Sequence, residues 1–383
     1  MAAAAVSFES IVTHFEALPD PRHTRNRRHL LRDVLVIAVC GVIVGCTGPT
    51  SIERWAKAKG DWLRELLALS NGIPSRDCIR RVLSALQPEV FQECFQDWIT
   101  ACLVDNNKDV GATIAIDGKT LRRSHDRDAG LGPLHLVSAW VSEQGLALGQ
   151  VATEEKSNEI TAIPELLDRI DVKGAIVTID AMGCQKGIAE KIIAGKGDYV
   201  LAVKENQPKL YQAIQETFNA HLKGELHLVP HRQHETRETS HGRTDERYYY
   251  LAKVPRDFPL RSAWPSIKAI GMVVRITVKS DGTTTDDVRY FIVSRYLSGE
   301  RFARAVRGHW GIENSLHWVL DVTFDEDQTR TRNRYMANNL SWLRRFAISL
   351  LKNHPSKHSI KGKREIAGWN NDFLMEVLAA QRV

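Results

Sequence analysis

The sequence predicts an α/β protein. A mixed five-stranded sheet carries helices on its faces and an all-β insertion, and a helical N-terminal domain precedes it. Three observations predict this. Residues 1–105 show the apolar spacing of helices. From Thr113 onward five short β-rich runs appear, the last three separated by helical patterns. Strand-like runs then return within residues 223–297, and the chain is helical from there to its end.

The elements follow in order. Ser7–Leu18 has helical spacing and is ended by the Pro19–Arg22 segment PDPR. Helices are expected over Leu30–Gly45, Thr50–Leu69, Ser75–Leu86 and Pro88–Cys102, with Ser75 as an N-cap. Asn106–Asp109 is a polar break. The strands are TIAID (Thr113–Asp117), LHLVSAW (Leu134–Trp140), LGQVATEE (Leu148–Glu155), AIVTID (Ala175–Asp180) and DYVLAVK (Asp198–Lys204). Helices are expected at Glu159–Ile170 and Gln185–Ala194, and after the fifth strand at 208–222. The insertion contributes Glu246–Val254, Ile267–Val278 and Asp287–Arg295, with Asp281-Gly282 as a hairpin signal. Helices then cover Gly299–Val322, Arg334–Lys352 and Asn371–Ala380, a basic tail lying between the last two.

Composition narrows the function classes. The chain is 43% hydrophobic and 26% charged, which excludes disorder and fibrous structure. The apolar run Val34–Cys46 is shorter than the roughly 20 residues of a spanning helix. No basic segment precedes an apolar stretch at the N-terminus, so no secretory signal or membrane association is expected. Cys40, Cys46, Cys78, Cys94, Cys102 and Cys184 have no C-x-x-C spacing and read as buried thiols of a reducing cytoplasm. A net charge of +6 permits nucleic-acid binding without demonstrating it.

The acids carry more information. Asp117 ends the first strand and Asp180 the fourth, each with a glycine within three residues. Strand C-termini in open α/β sheets are where ligands bind. On neighbouring strands the two would lie ~5 Å apart and repel unless one is protonated or a cation intervenes. Oxygen donors of this kind suit Mg²⁺. The third acid, Glu313, lies in RGHWGIENSLHWVLDVTF. On one helix His309, Glu313, His317 and Leu320 share a face. Flanked by Trp310, Ile312 and Leu316, Glu313 is not placed like a solvated acid. Pairing with Arg307 or a neighbouring helix, and a nitrogen-rich metal site with His309 and His317, are the other readings.

Positive charge is concentrated late. From Gln328 to Arg364 stand Arg330, Arg332, Arg334, Arg344, Arg345, Lys352, Lys357, Lys361, Lys363 and Arg364, with no acid among them. Such an arm tracks phosphates with salt-dependent affinity. Arg243 and Arg247, beside His241 and leading into Tyr248–Tyr250, interleave bases with aromatics; alternating strand packing accounts for the tyrosines equally. Arg22, Arg25, Arg27, Arg28 and Arg32 are either a solvated run or a phosphate-contacting arm.

Together these segments resemble the DDE transposases of bacterial insertion sequences. TIAIDGKTLRRS, GAIVTIDAMGCQKGIAEKI with GDYVLAVKENQPKL, and HWGIENSLHWVLDVTFDEDQTRTR are similar to the group that includes the H-repeat-associated proteins. LPDPRHTRNRRHLLRDVLVIAVCGVIVG is similar to the domain that precedes the catalytic core there. The resemblance implies an RNase H-like catalytic domain over 106–383, with its β-rich insertion at about 223–297 and a basic C-terminal arm, behind a helical domain 1–105 that contacts DNA ends. It implies Asp117, Asp180 and Glu313 as ligands of two Mg²⁺ ions, with Mn²⁺ as a substitute. The activity implied is phosphodiester cleavage at terminal inverted repeats of double-stranded DNA and strand transfer into target DNA, in the bacterial cytoplasm at the nucleoid. A nuclease-only or DNA-binding domesticated relative is the alternative. Expected DNA contacts are Lys119, Arg122, Arg123, Lys204, Asn206, Arg243, Arg247, His309, Arg330, Arg332 and Arg344. Pairing two ends calls for a homodimer, although no coiled-coil heptads are present. One departure stands out. Where related transposases carry Tyr-x2-Arg-x3-Glu-x6-Lys, this chain keeps Glu313 but has Val306, His309 and Leu320 at the other positions. His309, Arg304 and Arg307 are the candidates to replace them.

Overall fold

The computed structural model describes residues 8–103, 111–126, 128, 130–153, 159–223, 231–240 and 242–379. The polar break at 106–109, the end of the third predicted strand and His241 lie outside them. Six helices come first: α1 (Phe8–Glu16), α2 (Leu31–Ile43), α3 (Pro49–Ala58), α4 (Gly60–Leu66), α5 (Arg76–Ala85) and α6 (Pro88–Leu103). Ser75 caps α5 by accepting the Cys78 N–H at 3.3 Å. The single helix expected over Thr50–Leu69 is divided at Lys59. From Val34 to Ile43 helix α2 is apolar all round and buried, as a helix at the centre of a core must be.

The strands are β1 (Thr113–Thr120), β2 (His135–Val141), β3 (Leu146–Thr153), β4 (Ile176–Ile179), β5 (Asp198–Val203), β6 (His231–Ser240), β7 (Arg243–Lys253), β8 (Ala269–Lys279) and β9 (Thr284–Val293). Helices α7 (Glu159–Arg169), α8 (Lys186–Ala194) and α9 (Pro208–Leu222) connect them. After β9 come α10 (Gly299–Ile312), a π-helical turn (Glu313–His317), α11 (Trp318–Val322), α12 (Arg334–Asn353), α13 (Ile360–Trp369) and α14 (Asn371–Ala379).

All nine strands form one sheet in the order β3-β2-β1-β4-β5-β9-β8-β7-β6. The first five pair as a meander followed by parallel crossovers, with β1 parallel to β4 and β4 parallel to β5. The insertion consists of strands, as expected, but it corrects the expectation of a sheet limited to five strands. Its strand β9 pairs antiparallel with β5, so the four strands continue the same sheet. Strand β6 was not anticipated: His231–Ser240 has no apolar alternation because it is an exposed edge strand, paired on one side to β7.

One hydrophobic cluster runs from α1 and α2 through β1–β5 to α12 and α14. Helix α12 packs on α2, α5 and α6 on one side and on β3 on the other. Asn339 fastens it to α5, its amide donating to the Leu83 and Leu86 carbonyls at 2.9 and 3.0 Å. A second cluster joins β5 and β7–β9 to α10 through Phe302, Ala303 and Val306. Phe302 lies so close to Gly271 that a Cβ there would meet its ring at 2.4 Å. This anchors the helix that leads to Glu313.

The C-terminal basic arm is also corrected. Arg344, Arg345, Lys363 and Arg364 are all buried. Arg364 donates to the carbonyls of Ile43, Val42 and Thr323 and lies 3.8 Å over the Phe324 ring. Lys363 donates to the Leu351 and His354 carbonyls, each at 2.8 Å. The tail expected between the last helices is α13. No helix among the described residues is long and apolar enough to cross a membrane.

Candidate active site

Register brings two of the three acids together. Ile116 of β1 is aligned with Ile179 of β4, so Asp117 and Asp180 follow at matched positions on neighbouring parallel strands. Side chains alternate along a strand, so both project from the same face. On that face Ser142 Oγ of the β2–β3 turn donates to the Gly308 carbonyl of α10 at 2.6 Å. The opposite face is closed by α7. A Cβ on Gly118 would come within 2.4 Å of both Glu159 Oε1 and His135 Nε2, themselves bonded at 2.7 Å. Glycine at 118 lets that buried pair sit directly behind Asp117.

Asp180 sits in the turn after β4, its Oδ1 accepting the Met182 and Gly183 N–H groups at 3.1 and 3.3 Å. Asp117 is mostly buried. Burial first, and then the nearby Asp180 and Glu313 charges, push its carboxyl up to about 7 against the pull of the Gly118 N–H. His317 Nδ1 stands 3.5 Å from Asp117 Oδ2. Burial holds His317 well below the usual imidazole range, and its Nε2 has no hydrogen-bond partner. His309 is likewise kept neutral, its pKa brought down to about 4 by burial, and its Nδ1 meets Thr178 Oγ1 at 3.3 Å.

Glu313 begins the π-helical turn that replaces the expected uninterrupted helix Gly299–Val322. The wider turn changes how residues 309, 313 and 317 are displayed, and such turns recur at functional sites. Glu313 is exposed rather than packed among its apolar neighbours. Burial of its surroundings raises its pKa, and Arg289 opposes the rise. The expected alternative, pairing with Arg307, fails: Arg307 Nη2 instead donates to both Glu238 oxygens at 2.9 Å.

Asp180, Glu313, His309, Lys204 and Asn206 line one cavity of about 810 Å³, walled by Trp310 and Arg289. Asn206 Nδ2 donates to the Ala181 carbonyl at 2.6 Å, tying the end of β5 to the Asp180 turn. An adjoining cleft is lined by Arg243, Arg247, Arg275, Arg289, Arg307 and, again, Glu313. The other expected DNA contacts divide. Arg122, Arg123, Arg330 and Arg332 are exposed and line neither space. Arg122 and Arg332 reach Asp327 and Asp128.

Three expected contacts are buried and already paired within the protein, Arg247 while still lining the adjoining cleft. Lys119 is 8% exposed and held between Asp321 at 2.6 Å and Asp327 at 3.1 Å. Arg247 is held by Glu238 at 3.0 Å and Asp245 at 3.1 Å. Arg344 lies inside the protein against Thr47, Thr329 and Glu326. Arg289 was not anticipated. It stands in a strand that reads only as apolar-alternating, and nothing local marks it as part of the site.

The chemistry of the donor set fits a hard divalent cation: three carboxylates, with Asp117 inside β1, three residues short of the strand end expected for it, beside Asp180 just past the end of β4, and with burial first of all pushing the Asp117 carboxyl up to about 7. Among the described residues, no three His, Cys, Asp or Glu groups stand close enough to hold an ion as they are. The nitrogen-rich set of His309, Glu313 and His317 is not gathered, because the two imidazoles turn apart, His309 Nδ1 to Thr178 Oγ1 at 3.3 Å and His317 Nδ1 to Asp117 Oδ2 at 3.5 Å.

Known proteins bear out the resemblance. The Transposase DDE domain family matches residues 110–351, and the DDE_Tnp_1-associated family matches 12–99. The chain belongs to the DDE transposase family. It is 40% identical over 379 residues to the H repeat-associated putative transposase YhhI of Escherichia coli K12, covering 98% of this chain and 99% of that one. To YbfD of the same strain it is 42% identical over 250 residues, 65% of this chain and 96% of the relative. The piggyBac transposase synaptic complex with hairpin DNA aligns over 97% of this chain and 79% of that one, at 12% identity and a TM-score of 0.41, too distant to bear on the fold.

Proposed function

We propose that this transposase cleaves phosphodiester bonds at the ends of an insertion sequence and joins the freed ends to target DNA, on an RNase H-like core formed by β1–β5 and their helices. The observation that carries the reading is the matched register of Asp117 and Asp180 on parallel neighbours, with Glu313 lining the same cavity as Asp180.

In this reading Asp117, Asp180 and Glu313 would hold divalent cations, Mg²⁺ or Mn²⁺. Bound there, such ions supply Lewis-acid activation of a water or a DNA 3′-hydroxyl and charge stabilisation at the leaving oxygen. The protein's own groups set the stage. The Met182 and Gly183 N–H groups orient Asp180. The buried His135–Glu159 pair backs β1 at Gly118. His309 and His317, held neutral, line the site without adding cationic competitors. Double-stranded DNA is the partner, and the exposed Arg243, Lys204 and Asn206 are the contacts nearest the carboxylates.

The test is nicking and joining by the purified full chain on supercoiled DNA bearing the element's inverted repeats, with Mg²⁺. Asp180→Asn is expected to abolish both products while keeping the thermal midpoint. An Asp180→Asn protein that still nicks would sink the assignment. Wild-type protein that nicks without joining would leave the nuclease alternative standing.

A further inference from the structure

We infer that Arg289, presented from β9 across the face of Trp310, forms the phosphate-holding subsite of this site and clamps a DNA backbone phosphodiester beside the scissile one. The inference rests on the transposase reading and supplies what the departure from the related signature leaves open.

The positions where related transposases place Tyr, Arg and Lys offer no cation here. Val306 and Leu320 are buried apolar side chains, and burial keeps His309 uncharged. The two nearby arginines of α10 are already engaged: Arg304 pairs with Glu300 at 2.9 Å and Arg307 with Glu238 at 2.9 Å, and neither lines the larger cavity. A polyanion entering a cavity lined by Asp180, Glu205, Asp287 and Glu313 needs positive charge from elsewhere. The cavity's lining holds two such groups, Lys204 and Arg289.

Arg289 is built for the task. Its guanidinium carbon lies 4.5 Å from the centre of the Trp310 ring, and Nε donates to Asp287 Oδ2 at 2.7 Å. The stack fixes the plane and the Nε bond fixes its rotation, while neither Nη has a partner among the described residues. Two parallel N–H donors held in a fixed plane match a phosphate bidentately, and the ordering cost is largely met before binding. Arg289 is not simply the counter-ion of Glu313, because no ion pair within 4 Å joins them. It lines both the cavity and the adjoining arginine cleft, the position a strand must pass when it runs from one to the other. Lys204 pairs with no described acid and supplies a second point charge to the same cavity.

The experiment measures binding of the full-length protein to a labelled 30-base-pair duplex in EDTA by fluorescence anisotropy across a salt series, with thermal midpoints in parallel. Removing one phosphate contact lowers the slope of log K against log salt by ~0.9. Arg289→Ala is expected to show that loss of slope and about ten-fold or more weaker binding. Arg289→Lys should recover the slope, with only part of the affinity, because an ammonium keeps the charge and loses the fork. Trp310→Leu removes the ring face that fixes the guanidinium plane and should weaken binding while keeping the slope, a readout that stands if Arg289→Ala does not fold. Wild-type slope in Arg289→Ala, or a lowered midpoint with unchanged slope, would overturn the inference while leaving the transposase reading intact. A wild-type protein with no salt-dependent affinity for the duplex would instead bring down the DNA reading itself, and this subsite with it.

Discussion

Arg344 and Arg345 are 2% and 0% exposed, yet in the sequence they belong to a run of ten bases without an acid. Their partner stands just ahead of that run. Glu326, equally buried, meets Arg345 Nη1 at 3.3 Å and Arg344 Nη1 at 3.7 Å, and Ser341 Oγ donates to it at 2.8 Å. Arg345 Nε also donates to Ser138 Oγ of β2 at 3.1 Å, itself fully buried. Burying charges is costly, and removing one partner strands the other without water. Glu326→Ala is therefore expected to cost about 3–5 kcal/mol in urea unfolding. Arg344→Ala should also lower stability, and should leave the salt slope of duplex binding unchanged. A smaller slope in Arg344→Ala would return that side chain to the DNA surface. Local charge runs are legible in sequence; which members of a run are neutralised by residues in other elements is not.

Elements were legible where periodicity was strong. The strands ending at Asp117 and Asp180 fall within a few residues of their observed ends, because buried parallel strands are apolar runs. The hairpin signal at Asp281-Gly282 is real: Gly282 has φ +82°, Lys279 and Thr283 close the turn, and a Cβ on Gly282 would meet nothing within 4 Å. Only the backbone penalty then acts, so Gly282→Ala should lower the urea midpoint by the equivalent of about 1 kcal/mol with an unchanged m-value. No loss would show that the β8–β9 turn relaxes freely. The π-helical turn at Glu313–His317 was not legible. An extra residue in a turn leaves the apolar spacing on either side nearly intact, and the choice between α and π is made by what the side chains meet, here Asp117 for His317 and the open cavity for Glu313.

At the scale of the molecule, the boundary expected at residue 105 is crossed by the core. Phe95 of α6 packs against Phe346 of α12 with ring centres 4.2 Å apart and the rings tilted by 55°, and the Gln150 N–H of β3 donates to Gln92 Oε1 of α6. A protein of residues 106–383 alone would expose the apolar face of α12, including Trp342 and Phe346. It is expected to be insoluble, or to bind a hydrophobic dye and lack a cooperative thermal transition. A soluble fragment with a sharp transition would instead establish two independently folding units. The same continuity explains why the helical N-terminus and the sheet read as separate in sequence: composition reports which elements form, not which faces they bury against one another.

The sequence by itself determined the class of most elements, the succession of the first five strands along the chain, and the three acids on which the family resemblance rests. These follow from local patterns: apolar runs that must be buried, and acids set where such runs stop. The tertiary structure alone decided that the insertion continues the sheet, that Glu313 opens a π-helical turn, and that Lys119, Arg247 and Arg344 are engaged by acids of the protein itself. It also set Arg289 over Trp310. Each of these depends on a partner distant in the chain, and the free energy that settles it, of pairing, stacking or desolvation, exists only once that partner is in place.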